Sequence, residues 1–230
     1  MNPPRIGLFS CVHPYYDLPA VVDARQQAIA GLRERGCEVV APAIPRTPLD
    51  AVAAAAEFRD ADVDLVVLFF CTWVAEEITL TLAQELMDFP MLLWALPFLD
   101  RDIPMPSPMS GLVASSSNIR RMGKRFAWQV GRVNPENLQR TLRAAKVGSV
   151  VKELRRARFG VAGSPCPGMM DVEVDEADLS RSLGITTVHL ELEDLLAGAA
   201  SAEPATVDAA VERLSAWTGG EREIDRLRLT

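Results

Sequence analysis

Apolar residues along the chain fall into two alternating patterns, short continuous runs and longer stretches with helical spacing. "RIGLFS" (residues 5–10), "CEVVAP", "DLVVLFF" and "PMLLWAL" are the runs. Between them, Val21, Val22, Ala28, Ile29 and Leu32 form a stripe that stops at Gly36, and "TPLDAVAAAAEFRDA" and residues 75–87 also suit helices. Pro19 fits a first helical turn and Asp17 can cap it, while Gly36 is a C-terminal stop signal. "DLVVLFF" is polar on neither face, as expected when helices cover both sides of a parallel sheet. Strands alternating with helices at this spacing predict a doubly wound α/β domain. The segment "GLVASSSNIRRMGKRFAWQVG" reads as helical after its small residues, and residues 135–147 as a further helix.

Near residue 150 the pattern restarts. A basic helix ends and "RFGVAG" begins a strand; "SPCPGMMD" is a turn-rich loop, and residues 175–183 form a short helix. "TTVHLELEDLL" is a strand running into a helix, and residues 204–217 are one more helix. The division predicted is a first α/β domain over 1–156 and an incomplete second α/β domain over 157–230. That second unit has too few strands for a sheet covered on both faces. A further strand is expected around "EREIDRLRLT".

Composition narrows the possible functions. A hydrophobic fraction of 49% is ordinary for a globular core, and a formal charge of −7 disfavours a broad nucleic-acid surface. The basic stretch Arg120–Arg125 reads as a solvated helix face. No apolar run approaches the roughly 20 residues that span a bilayer, so no membrane partner is expected. The N-terminus lacks secretory-signal features, and the four cysteines lack metal-finger spacing. Free thiols in a cytoplasmic protein are the simplest reading.

Ligands of open parallel sheets bind beyond the carboxyl ends of the strands. The loops there are Cys11–Tyr16, Cys71–Trp73 and Ser164–Asp171, with the segment Gly111–Asn118 as a fourth. They offer aromatic faces (His13, Tyr15, Tyr16, Trp73) and neutral polar groups (Ser115 to Ser117, Asn118), with Cys166 and Met169 in the third. Apolar faces for C–H stacking beside hydroxyl partners suit a sugar or polyol. Each residue also has a plainer role. Trp73 can plug a core, His13 can bond loop backbone, and "ASSSN" can cap a helix. Glu76 and Glu77 are favoured near a helix N-terminus by the macrodipole alone. Dinucleotide, P-loop and hydrolase-elbow motifs are absent from the sequence.

Taken in order, "RIGLFSCVHPYYD", "VVLFFCTWVAEEI", "PMLLWALP", "MSGLVASSSNIRRMGKRF" and "FGVAGSPCPGMMDVEVDEADL" resemble the N-terminal half of the L-fucose isomerase and L-arabinose isomerase family. The resemblance runs over about the whole chain. It implies a flavodoxin-like first domain and the start of a second. It also implies membership of aldose–ketose isomerases, which use a divalent metal, usually manganese (Mn2+). Trp73 then matches an aromatic that contacts sugar, His13 is the best candidate of its loop, and Met169 falls beside a substrate-contacting methionine. Asn118 lies near a polar position from whose motif this sequence departs. The family's metal-binding glutamate, aspartate and histidine belong to a later region. This chain is therefore expected to supply substrate contacts, with no catalytic or metal-binding residue and no metal of its own. A homo-oligomer with sites shared between subunits is implied. Two other readings remain: a free-standing sugar-binding or regulatory module, and an unrelated α/β enzyme using Cys71 or Cys166 as a thiol acid or base.

Overall fold

The computed structural model describes residues 3–16, 19–97, 107–164, 166–169 and 174–218. Asp17, most of the proline-rich loop before Ser107, and "EREIDRLRLT" lie outside the described residues. The chain divides into two units, Met1–Leu154 and Arg155–Thr230, so the boundary falls at 154 where the sequence placed it at 156.

The first unit is α/β. Strands β1 (Arg5–Cys11), β2 (Glu38–Val40), β3 (Leu65–Phe70), β4 (Met91–Ala95) and β5 (Ala127–Val130) alternate with helices α1 (Pro19–Arg33), α2 (Pro48–Asp60), α3 (Glu76–Glu85), α4 (Pro108–Arg121) and α5 (Pro135–Arg156). The sheet is parallel throughout, in the order β2-β1-β3-β4-β5. This is the flavodoxin-like order. Its β3, Leu-Val-Val-Leu-Phe-Phe, is buried at every position because a core lies on each side. One core joins α1 and α5 to the sheet through Ile29, Leu32, Leu138 and Leu142; the other joins α2, α3 and α4 through Phe58, Ile78, Leu82 and Leu112.

Local signals explain where the elements stop. Thr47 caps α2 in a reciprocal box with Asp50, ahead of Pro48. The backbone N–H groups of Arg46 and Thr47 both donate to Asp50, and these bonds hold its carboxyl below the usual carboxylate range. Gly36 follows α1 at φ 78°, a left-handed conformation that costs glycine nothing. At Gly148, a Cβ would lie 2.0 Å from the Asp64 carbonyl, so only glycine lets α5 approach the entry to β3 this closely. Lys152, one turn on, pairs with Asp62 and with buried Asp64, and the Arg5 N–H donates to Asp64 over 2.8 Å.

Two expectations are corrected. The stretch read as one helix from Gly111 onward ends at Arg121, and a fifth strand follows. Its polarity disguises it. Trp128 points outward at 63% exposure while Gln129 is buried, donating from Nε2 to Thr141 Oγ1 over 3.0 Å. The basic stretch is also not a uniformly solvated face. Lys124 is buried and donates from Nζ to the carbonyls of Leu86, Met87 and Phe89 at 2.6, 3.1 and 2.8 Å. It closes the C-terminal end of α3, where carbonyls lack helical partners and a cation is favoured.

The second unit contains a parallel pair, β6 (Arg158–Ala162) and β7 (Thr186–Leu190), with helices α6 (Glu176–Leu183), α7 (Leu192–Ala200) and α8 (Pro204–Thr218). Asp175 caps α6 by accepting from the Asp178 N–H, and Gly184 ends it at φ 76°. Among its described residues none is buried, and Phe159, Val188, Leu190, Leu195 and Leu214 are all exposed.

Candidate functional site

Strands β1 and β3 are neighbours, yet the chain leaves them toward opposite edges of the sheet, β1 toward β2 and β3 toward β4. A crevice forms at such a reversal, beyond the carboxyl ends of the strands. Two of the loops singled out in the sequence meet there. The Cys71 and Thr72 N–H groups both donate to the Cys11 carbonyl, at 3.1 and 3.2 Å. Thr72 Oγ1 accepts from the His13 N–H over 2.8 Å and donates to the Trp73 carbonyl over 2.8 Å. Thr72, fully buried, thus ties the two loops together.

The rings stand on this backbone frame. His13 meets Trp73 edge-on, with centroids 4.5 Å apart and planes at 66°. Tyr15 stacks on the imidazole at 5.0 Å and 23°, in a single 3-10 turn, Pro14–Tyr16. The Tyr15 N–H donates to His13 Nδ1 over 3.3 Å, which orients the imidazole, so the plainer backbone role of His13 is also present. Trp73 is 38% exposed. It is not a core plug; that place belongs to Trp94, fully buried, with its indole N–H on the Gly131 carbonyl at 2.9 Å.

Helix α4 supplies the opposite wall. A Cβ at Gly111 would lie 3.0 Å from the Phe70 ring and 3.1 Å from Trp73 Cα, so glycine is what lets the helix come this near. Trp73, Val74, Ala75 and Glu76 on one side and Ser110, Gly111 and Ala114 on the other enclose a cleft of about 270 Å³. Asn118, one turn beyond Ala114, donates from Nδ2 to Glu76 Oε2. The serine run is neither a helix cap nor a ligand array, because it lies inside α4. Ser115 is buried against Thr79, Oγ to Oγ 2.9 Å; Ser116 bonds the Val113 carbonyl; Ser117 is exposed.

Of the predicted site residues, His13 and Trp73 meet ring to ring, Trp73 lines the cleft, and Asn118 reaches Glu76 from outside that lining. Met169 belongs to the second unit, exposed in a turn where its N–H donates to the Cys166 carbonyl at 3.1 Å. The sequence suggests for Glu76 only a partnership with the helix dipole, yet it is one of the cleft's lining residues. The spacing Ser110, Ala114, Asn118 (i, i+4, i+8) marks one face of α4 and was the available signal.

The buried thiols are poorly placed for acid–base work, whereas Cys166 is exposed in the second unit. Cys11 and Cys71 contribute to the cores on opposite faces of the sheet. Burial pushes Cys71 up to about 12 and Cys11 well above its ordinary value, so both stay protonated. Cys37 is raised too, by burial, with Lys146 and Arg35 opposing. Among the described residues, no group of three or more His, Cys, Asp or Glu side chains is placed to hold a metal ion. Nor is any helix among them long and apolar enough to cross a membrane.

No family model matches the chain, and no curated protein matches it. Among solved structures it is similar to the ligand-free, open form of a substrate binding protein with adhesive properties from Clostridium difficile. The identity is 14% and the TM-score 0.33, over 92% of this chain and 62% of that one. The chain therefore spans less than two thirds of that structure's length, and at this score the likeness carries no weight for fold or site.

Proposed function

We propose that this chain is the N-terminal, sugar-contacting part of an aldose–ketose isomerase of the L-fucose and L-arabinose isomerase kind. The observation that supports the reading best is the half-exposed Trp73, braced edge-on by His13 at the sheet's reversal point, with a cleft beside it. An indole held in this way presents a rigid apolar face to the C–H side of a polyol at little entropic cost. In this reading the chain positions substrate and leaves proton transfer to groups elsewhere. Glu76 lines the cleft and His13 stands outside that lining, so in this reading manganese is held by groups elsewhere. The metal, the remaining substrate contacts and a neighbouring subunit that completes the site are implied by the resemblance.

Ligand-observed NMR with L-arabinitol and L-fucose at millimolar concentration tests the seat. An aromatic stacking contact is commonly worth about 1 kcal/mol, so Trp73→Ala is expected to weaken binding roughly fivefold. The purified chain with manganese is expected to interconvert no aldose and ketose. Turnover of L-fucose or L-arabinose by this chain alone would overturn the reading, and so would the absence of any polyol binding.

A further inference from the structure

We infer that Glu76, held in place by Asn118, is the residue that makes the Trp73 cleft selective for a neutral vicinal diol. The inference rests on the cleft being a sugar seat and adds which side chain reads the hydroxyls. Most of the cleft wall is apolar or small: Trp73, Val74, Ala75, Gly111 and Ala114. Among the described lining residues, Glu76 is the one that carries a carboxylate and Ser110 the one that carries a hydroxyl. An ionised carboxylate has about four acceptor sites on two oxygens. The Asn118 amide takes one of them, on Oε2. The bond crosses from α4 to α3, so it ties the carboxylate to the facing wall and leaves acceptor capacity for a ligand. Bonds from hydroxyls to a carboxylate are charge-assisted and stronger than neutral ones.

The ligand class follows from what this set rejects. An anion meets Glu76 and is repelled. An alkylammonium would suit a carboxylate, but recognition of such cations relies on several ring faces. Here the wall opposite the indole is Ser110, Gly111 and Ala114, with no ring among the described residues, and His13 meets the indole edge-on. Adjacent hydroxyls satisfy both polar groups at once, donating to Glu76 and exchanging a hydrogen bond with Ser110. The C–H face of the same molecule covers the indole.

Affinities for L-arabinitol and for choline, measured by ligand-observed NMR, test this in wild type, Glu76→Gln, Glu76→Ala, Asn118→Ala and the double alanine variant. Melting temperatures monitor folding. Loss of a bond to a charged group predicts about tenfold weaker polyol binding in Glu76→Gln and Glu76→Ala, and about threefold in Asn118→Ala. Because Asn118 is a positioning residue acting through Glu76, its removal should add nothing in the double variant. Should the alanine variants unfold, Glu76→Gln alone decides. Binding lost in Trp73→Ala but unchanged within twofold in Glu76→Gln overturns the inference and leaves the sugar seat standing. Choline binding more tightly than arabinitol overturns the choice of ligand class. No polyol binding by wild type overturns both readings.

Discussion

Replacing Lys124 with methionine removes a charge and keeps most of the side chain's apolar stem. The ammonium donates to three carbonyls at the end of α3, all within 3.1 Å. Bonds involving a charged group contribute about 1.5–3 kcal/mol each, but holding an ammonium out of water costs several kcal/mol. The sum of three bonds therefore overstates the effect. The Met87 side chain is 42% exposed, so water can reach part of the end left open and recover some of the loss. A net destabilisation of about 2–3 kcal/mol remains. At a urea dependence of about 2 kcal/mol per molar, the midpoint should fall by roughly 1–1.5 M with unchanged slope. The near-ultraviolet signal of buried Trp94 gives a first-unit probe for equilibrium unfolding. A midpoint within about 0.25 M of wild type would show that water replaces the ammonium at all three carbonyls and that the reasoning is wrong.

Three further outcomes are expected. Gly111→Ala puts a Cβ at 3.0–3.1 Å from the Phe70 ring and Trp73 Cα, so polyol affinity should fall more than stability does; an unchanged affinity would place the ligand elsewhere. Burial raises the thiol pKa, so thiolate forms only as pH climbs toward the raised value, about 12 for Cys71. Iodoacetamide at pH 8 should thus label exposed Cys166 alone in the folded protein and all four cysteines in urea, and Cys71 reacting at the rate of Cys166 would contradict this. Amides of the second unit, where no described residue is buried, should exchange faster than those of β1 and β3; equal protection would show burial by an unseen partner.

Most of the first unit was legible because its signals are local and redundant. The runs of β3 and β4 are unbroken by polar residues, that of β1 carries only Ser10 between Ile6 and Cys11, and the helix between β1 and β2 ends at a glycine that is indeed left-handed. Strand β5 was hidden because its inward residue is polar and its large apolar residue faces out. Such an inversion makes sense only once Thr141 is known to lie opposite Gln129. Lys124 was misread for a related reason: a buried cation is announced by the carbonyls that surround it, and those lie 35–38 residues away. At the site, loop positions told which strand ends would meet. They did not tell that Asn118 of α4 would bond Glu76 of α3, because a long-range bond of this kind leaves no trace in spacing.

Thr79 and Ser115 hold α3 and α4 together through two hydroxyls that meet out of contact with water. The Thr79 hydroxyl also donates to the Glu76 carbonyl over 3.0 Å, so the two positions are not equivalent. An apolar residue at Thr79 strands the Ser115 hydroxyl, at about 1–3 kcal/mol, whereas one at Ser115 leaves Thr79 its carbonyl partner. The seam is thus a one-way gate for a drifting sequence: it can turn apolar if Ser115 changes first and is penalised in the other order. That order limits how the spacing of the cleft walls can be retuned along the helix interface. Descendants of this chain would more readily alter ligand preference at exposed lining positions such as Ser110, where a new side chain leaves no buried partner behind.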